Sequence, residues 1–365
     1  MKKIISVLKS DILLTIAGIL AVASAFFVPP DKEYIDYINL PVLVLLFCLM
    51  IVVAGVKSAG VFELLQTKLS KKVKTEKMMV IMLCMICFVS SALITNDVAL
   101  ITFVPFSLMI LKNQKPSSII FAVVMETIAA NLGSLITPIG NPQNLYLYTH
   151  FNMNIAEFFE ITIPLGIACL MMILACLILR KNNTLSAETK EQSTVLNKKA
   201  VAIFGGLFVL CILSVLDVLS CYITFAVVLV ATVICDKKLL RQADYILLIT
   251  FVFFFVFAGN VARVPVIYQF IASLMNDREV LMSAIISQVV SNVPAAAMLS
   301  AFTENAESLV LGTNIGGLGT IIASMASLIS YRFIAKEENI SKVRYMLTFT
   351  AYNVVMLVIL LIIFG

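Results

Sequence analysis

The stretch NLGSLITPIGNPQN, residues 131–144, interrupts a run of apolar sequence that extends over about 118–152. A straight helix of that length would overshoot a bilayer, and Gly133, Pro138, Gly140 and Pro142 puncture it midway. The sequence predicts two half-helices joined by unwound backbone. In hydrocarbon each unpaired amide or carbonyl costs several kcal/mol, so such a break survives only where it lines a cavity or binds something. A second stretch, TND at residues 95–97, precedes it. The pattern returns in the other half of the chain as SNVP at 291–294, followed by NIGGLGT at 314–320. Each half thus carries a short Asn-containing break and then a Gly-rich break that opens on Asn. The four breaks read as one binding site built twice.

The surrounding composition fixes the class. Of 365 residues, 61% are hydrophobic and only 13% charged, with a mean hydropathy of +1.05. A soluble domain carries roughly a quarter charged residues. The apolar residues lie in long runs, which predicts an all-α polytopic integral membrane protein. The net charge of +5 sits in loops and reports orientation rather than nucleic-acid binding. The eight cysteines lie in or beside apolar segments and give no disulfide framework. Cys84 and Cys87 form a CxxC, but no polar ligand stands beside them. Met1-Lys2-Lys3 followed by 12–28 has the outline of a signal peptide; an uncleaved first span is preferred, because a repeat partner for it exists downstream.

Lys and Arg place the loops. Lys2, Lys3 and Lys9 put the N-terminus inside, and the Lys-rich stretch 57–77, Lys112, Lys115, Arg180, Lys181, Lys198, Lys199, Lys237, Lys238 and Arg241 mark further cytoplasmic turns. Arg332, Lys336, Lys342 and Arg344 are inside, leaving the C-terminus outside. The segments 78–94 with 98–112, and 280–292 with 294–302, are each joined by almost nothing. They are read as re-entrant hairpins, although two full spans apiece would leave the loop sides unchanged. The expected architecture is nine spans, two hairpins and two broken helices in an inverted-topology repeat. Residues 1–180 form the first repeat, 181–199 a cytoplasmic linker, 200–219 an extra span that inverts the topology, and 220–365 the second repeat. The expected location is a bacterial cytoplasmic membrane.

Thr95, Asn96 and Asp97 suit the cap of a helix restarting at Val98, and Ser291 and Asn292 suit the cap of one whose first turn holds Pro294. Helix N-termini with their partial positive charge offer an anion site. The unwound carbonyls and the Asn, Thr and Ser oxygens suit a hard cation such as Na⁺. Asp97 is the only carboxylate at a tip; Val293 stands opposite it in the second half. It either brings negative charge to a Na⁺ site or carries a proton, and Glu126, mid-run before Asn131, is a second proton-carrier candidate. His150 is assigned an outer loop and no role. No catalytic arrangement, cofactor or nucleotide motif appears, which makes the chain a transporter rather than an enzyme, with an ion channel as the competing class.

Taken together, TNDVAL at 95–100, GSLITPIGNPQN at 133–144, SNVPA at 291–295 and NIGGLGT at 314–320 resemble the ion transporter superfamily, within it the citrate-transporter-like and arsenite-permease-like branch. The resemblance implies a small anionic solute, a carboxylate such as citrate or a related oxyanion, coupled to Na⁺ or H⁺ and moved by an elevator mechanism. Arsenite efflux and Na⁺/H⁺ antiport are the family's alternatives, and many relatives are homodimers. It also implies a site built from Thr95, Asn96, Asp97, Asn131, Gly133, Ser134, Thr137, Pro138, Gly140, Asn141 and Asn144 in the first half. Ser291, Asn292, Pro294, Asn314, Gly316, Gly317, Gly319 and Thr320 supply the second. The first ion would lie on Asn96, Asp97, Gly133, Thr137 and Asn141, the second on Ser291, Asn292, Asn314, Gly317 and Thr320. The dicarboxylate branch carries Ser-Asn-Thr at both tips; this chain has Thr-Asn-Asp and Ser-Asn-Val.

Overall fold

The computed structural model describes residues 12–61, 64, 75–180 and 196–365. The expectations resting on Lys2, Lys3, Lys9, Lys181, most of the Lys-rich stretch 57–77 and most of the linker lie outside the described residues. Among the described residues there are seventeen α-helices, one 3₁₀ turn and no strand.

In chain order the helices are α1 Ile12–Ala25, α2 Glu33–Asp36, α3 Leu40–Ser58, α4 Glu76–Ile94, α5 Asn96–Ile110, α6 Pro116–Ser134, α7 Pro142–His150 and α8 Ile155–Ile178. They continue as α9 Lys198–Val215, α10 Cys221–Asp236, α11 Tyr245–Ala262, α12 Pro265–Met275, α13 Glu279–Val290, α14 Asn292–Leu299, α15 Ala306–Ile315, α16 Met325–Ile334 and α17 Lys342–Phe364. Seven are long and apolar enough to cross a membrane: α3, α4, α6, α8, α9, α11 and α17. α1 and α10 are shorter, at 14 and 16 residues. The outer faces of α8 and α17 expose Ile167, Met171, Ile178, Val355, Ile359 and Ile362. A water-facing surface does not carry apolar patches of that extent, and a lipid-facing one does.

Two apolar cores divide the molecule. One gathers α4, α5, α6, α8, α16 and α17 around Leu100, Phe103, Met125 and Phe349. The other gathers α1, α3, α7, α9, α10, α11 and α14 around Ile51, Phe204, Phe251 and Phe254. Packing follows a crossed pattern: α1 lies on α11 and α10 on α3, while α5 meets α16 and α14 meets α7. Glycine permits some of the close contacts; a Cβ on Gly55 would stand 2.3 Å from the Phe204 ring, and one on Gly259 would stand 2.4 Å from Tyr37.

Both hairpins close on a single residue. Thr95 joins α4 to α5 at φ 82°, ψ 147°, and Ser291 joins α13 to α14 at φ 75°, ψ 152°. This region of backbone space is essentially reserved for glycine and costs of order 1–3 kcal/mol for other residues. Neither residue makes a side-chain cap bond. The expected capping therefore gives way to a different arrangement. α5 begins at Asn96 instead of Val98, and the tip amides are satisfied from across the structure. A helix that turns back within one residue has no room for a capping loop.

Candidate functional site: four helix starts at two polar breaks

The two Gly-rich breaks are present as read. α6 ends at Ser134 and α7 restarts at Pro142; α15 ends at Ile315 and α16 restarts at Met325. Asn96 N–H donates to Gly140 O at 3.2 Å, and Asn292 N–H donates to Ala323 O at 2.9 Å. In both halves the acceptor is the residue just before the cap of the restarting helix. Each tip is thus hydrogen-bonded to its own break by the same backbone contact.

Side chains then tie one break to the other. Asn131 Oδ1 accepts from Ser324 Oγ at 3.0 Å, and Asn131 Nδ2 donates to Ser327 Oγ at 3.3 Å. In the reverse sense, Asn314 Oδ1 accepts from Asn141 Nδ2 at 3.1 Å, and Asn314 Nδ2 donates to Asn144 Oδ1 at 2.6 Å. Each Asn that opens a break therefore bonds the cap and the third residue of the other half's restarting helix. All six residues are buried. Around them, Asn96 Nδ2 donates to Asn131 Oδ1 at 3.2 Å, Asn141 Nδ2 donates to Ser134 Oγ at 3.2 Å, and Asn144 Nδ2 donates to Leu135 O at 3.0 Å. Buried polar networks hold one arrangement only when their members are satisfied, and these are.

Gly133 is required by contact: a Cβ there would lie 2.1 Å from Phe88 O. Gly140 is equally closed, with Ser134 O at 2.1 Å from the built Cβ. Thr137 Oγ1 donates to Ala92 O, binding the first break to α4. Gly316 and Gly317 sit against Ser287 and Asn292, and Gly319 has φ 105°. Pro138 and Pro294 are buried, whereas Thr320 is exposed.

Between the tips lies a small gap of about 10 Å³. It is lined by first-turn residues of four helices: Asn96 and Asp97 of α5, Pro142 and Gln143 of α7, Asn292 and Val293 of α14, and Met325 and Ala326 of α16. Four positive helix ends meet at one point, which favours negative charge there. Beside it is a larger cavity of about 300 Å³. Its walls are Thr95, Asp97 and Asn141 on one side and Met50, Lys57 and Asp244 on the other. Asp97 borders both spaces. Asp244 also caps α11, accepting from Leu247 N–H at 2.9 Å.

The halves differ at their walls. α5 faces α3 across the cavity, while α14 packs directly on α11 in the shared core of Phe254, Phe255, Val293, Ala296 and Ala297. Tyr146 closes that second wall, hydrogen-bonded to Ser300 at 2.7 Å and set against Phe255. His150, expected in a loop, is the last residue of α7 and stacks on Tyr146.

Glu126 lies apart from the cavity. It is fully buried in α6 and accepts from Ser107 Oγ. Cys84 and Cys87 are buried free thiols, and among the described residues no cluster of three metal-ligating side chains forms. Sequence reading missed Ser324, Ser327, Asp244, Lys57 and Gln288. Ser324 and Ser327 were detectable as a cap-plus-three pair matching Asn141 and Asn144; Asp244 and Lys57 carried no local signal.

Apolar helices with two one-residue hairpins and a buried polar centre define a membrane transport protein. The chain belongs to the citrate transporter family, whose model matches residues 3–308. It is 32% identical to an uncharacterized transporter of Methanocaldococcus jannaschii over 79% of each chain. It is 26% identical to the inner membrane protein YbiR of Escherichia coli over 89% of this chain and 88% of that one. It is also 32% identical to the silicon efflux transporter LSI3 of Oryza sativa, over 40% of this chain and 30% of that protein.

Proposed function

We propose that the protein is a secondary active transporter that carries a small anion, a carboxylate such as citrate or a related oxyanion, together with Na⁺ or H⁺. The observation that supports this reading is the gap where four helix N-termini meet beside a carboxylate. The helix ends attract an anion; Asp97, at the same spot, repels it. An anion settles there only when Asp97 has bound a proton or a cation, which couples the two solutes by elementary electrostatics. The gap has room for about one water, so the solute would lie in the adjoining cavity with its anionic group at the mouth of the gap beside Asp97.

Alternating access follows from the unequal walls. The packing of α1 on α11 and α10 on α3, and the matched tip and break contacts, support an inverted-topology repeat over 1–180 and 220–365, with α9 as the extra crossing. In such a repeat the open α3–α5 wall and the packed α11–α14 wall are the same interface in two states. Exchanging them, with the hairpins and breaks sliding past α3 and α11, would close the cavity on the Lys57–Asp244 side and open one on the other. The orientation expected from Lys and Arg puts that side in the cytoplasm.

A second reading is efflux of an uncharged oxyacid, favoured by the relatives named as silicon efflux transporter and putative arsB transporter. Proteoliposomes with imposed Na⁺ or H⁺ gradients, tested with citrate, succinate, arsenite and silicic acid, decide between them. Gradient-driven uptake of a carboxylate is the expected result. Gradient-independent flux at channel rates would overturn it.

A further inference from the structure

Gln143 lies in the first turn of α7, between two residues that the cross-half network uses. Asn141 and Asn144 both bond Asn314. Gln143 does not join them. It is 2% exposed, and its Oε1 accepts no hydrogen bond among the described residues. A buried amide oxygen left without a donor is costly, so its retention calls for something that donates to it. The side chain lines the gap between the tips, and so does Asp97.

Aligning Asn131-Leu132-Gly133 on Asn314-Ile315-Gly316 carries the first break onto the second with no insertion. Asn141 then meets Ser324, Gln143 meets Ala326 and Asn144 meets Ser327. Aligning Thr95 on Ser291 pairs Asp97 with Val293. Asp97, Gln143, Val293 and Ala326 all line the gap. The cap and the third residue of each restarting helix are polar in both halves. The two positions that change character are an acid and an amide in the first half, and both are apolar in the second. The acid and the amide occur together and border one space.

That space has room for about one water. A water can accept from helix N–H groups and donate to an oxygen on either side. A metal cation would stand at four positive helix ends, towards which hydrogens and not oxygens point. An ionised Asp97 has only acceptors to set against Gln143 Oε1, whereas a protonated Asp97 has a donor. We propose that Gln143 completes a proton site: across one water in the gap, its Oε1 receives the hydrogen that Asp97 carries when protonated, and so favours the protonated acid. The step is proton binding by the carboxylate, and no other bond changes. The inference rests on the proposed function for the coupling role of Asp97, and it names the coupling ion as H⁺. Across the adjoining cavity Asp97 also meets Lys57 of α3 and Asp244 at the cap of α11. The lining that α7, α14 and α16 give the gap holds no titratable side chain among the described residues. The carboxylate of α6, Glu126, bonds Ser107, ten residues along α5 from Asp97.

The test is an infrared pH titration of the chain reconstituted in lipid, without solute and in choline chloride. A protonated carboxyl shows a C=O band, and the part of it lost in Asp97→Asn belongs to Asp97. Gln143→Met keeps the side-chain length and removes the amide. Gln143→Ala copies the second half and serves if Gln143→Met fails to fold. Each should lower the midpoint pH of the Asp97 band by about one unit, the worth of one hydrogen bond lost from the protonated form. A purely structural role would lower thermal stability and leave the midpoint in place. A midpoint unchanged or raised in these variants would overturn the proposal, as would the absence of an Asp97 band at any pH. A midpoint that falls with added Na⁺ in the wild type but not in Gln143→Met would also overturn it, by marking a metal cation on Gln143. Failure of the transporter reading shows separately, as absence of gradient-driven uptake in proteoliposomes, because the titration needs no solute.

Discussion

Thr95 and Ser291 turn the chain through nearly the same dihedral angles, and the residue after each donates its amide to the same place in its break. The residues that follow diverge. Asp97 looks into a cavity bounded by Lys57 and Asp244, whereas Val293 is packed beneath α11. The backbone of the site is duplicated; its charge and its openness are not. A transporter needs both properties. In the proposed cycle the repeated frame would supply two alternative closures, and the unequal side chains would give one half the ion.

The frame can be broken most severely at its tightest contact. Gly133→Ala drives a Cβ onto Phe88 O and should cost about 3 kcal/mol or more, lost as folded, monodisperse protein in size-exclusion chromatography. Its counterpart Gly316→Ala should cost less, because the nearest atoms, Ser287 Oγ at 2.7 Å and Gly312 O and Ser287 Cβ at 2.8 Å, stand farther off than Phe88 O does from Gly133. Gly206→Ala, on an open face of α9 with nothing within 4 Å, should be neutral or raise stability slightly.

The charge asymmetry is tested at Asp97. Asp97→Asn should leave thermal stability within about 1 kcal/mol of wild type, because no hydrogen bond of the frame runs through the carboxylate. It should nonetheless abolish the Na⁺ or pH dependence of flux in proteoliposomes. Retained cation dependence would end the coupling role and direct attention to Glu126, which Ser107 holds in the core of α4, α5 and α6.

The cross-bonds between halves come next. Asn131→Ala and Asn314→Ala each remove two buried inter-half hydrogen bonds and should each cost about 2–4 kcal/mol by thermal or denaturant unfolding. If the two Asn hold one interface, the double substitution costs less than the sum, since the second loss falls on an already loosened contact. Strict additivity would mean that the two sets act independently.

The smallest effect lies at the tips. Thr95→Gly relieves the positive φ and should stabilise by up to about 1 kcal/mol, after the greater chain entropy of glycine is deducted. Ser291→Gly should gain less, because it also loses the Ser291 Oγ bond to Ala323 O. Equal gains would show that this bond is immaterial.

Much of this was fixed by the chain before it folded. Runs of apolar residues dictate membrane helices because water is excluded from bilayer hydrocarbon, and Asn, Gly and Pro in mid-run dictate breaks because nothing else tolerates unwound backbone there. Those are local statements, and the four breaks, the hairpins and the two half-helix pairs were legible for that reason. The limits of the hairpin helices were less so. Thr95 and Ser291 read as caps, but the turn-back geometry forbids it, and only the packed structure says that Gly140 and Ala323 satisfy the amides instead. The pairing of Asn131 with Ser324 and Ser327, and of Asn314 with Asn141 and Asn144, joins residues more than 150 positions apart. No local propensity encodes such a contact. Gln288 looked like one polar residue on an apolar helix; the carbonyls of Gly316 and Leu318, to which its amide donates, are set against it by tertiary packing. The cavity beside Asp97 is likewise a property of how α3 stands off from α5 while α11 closes on α14. Sequence alone determines where a backbone must leave the helix. What that backbone then binds depends on which distant groups the packing sets against it.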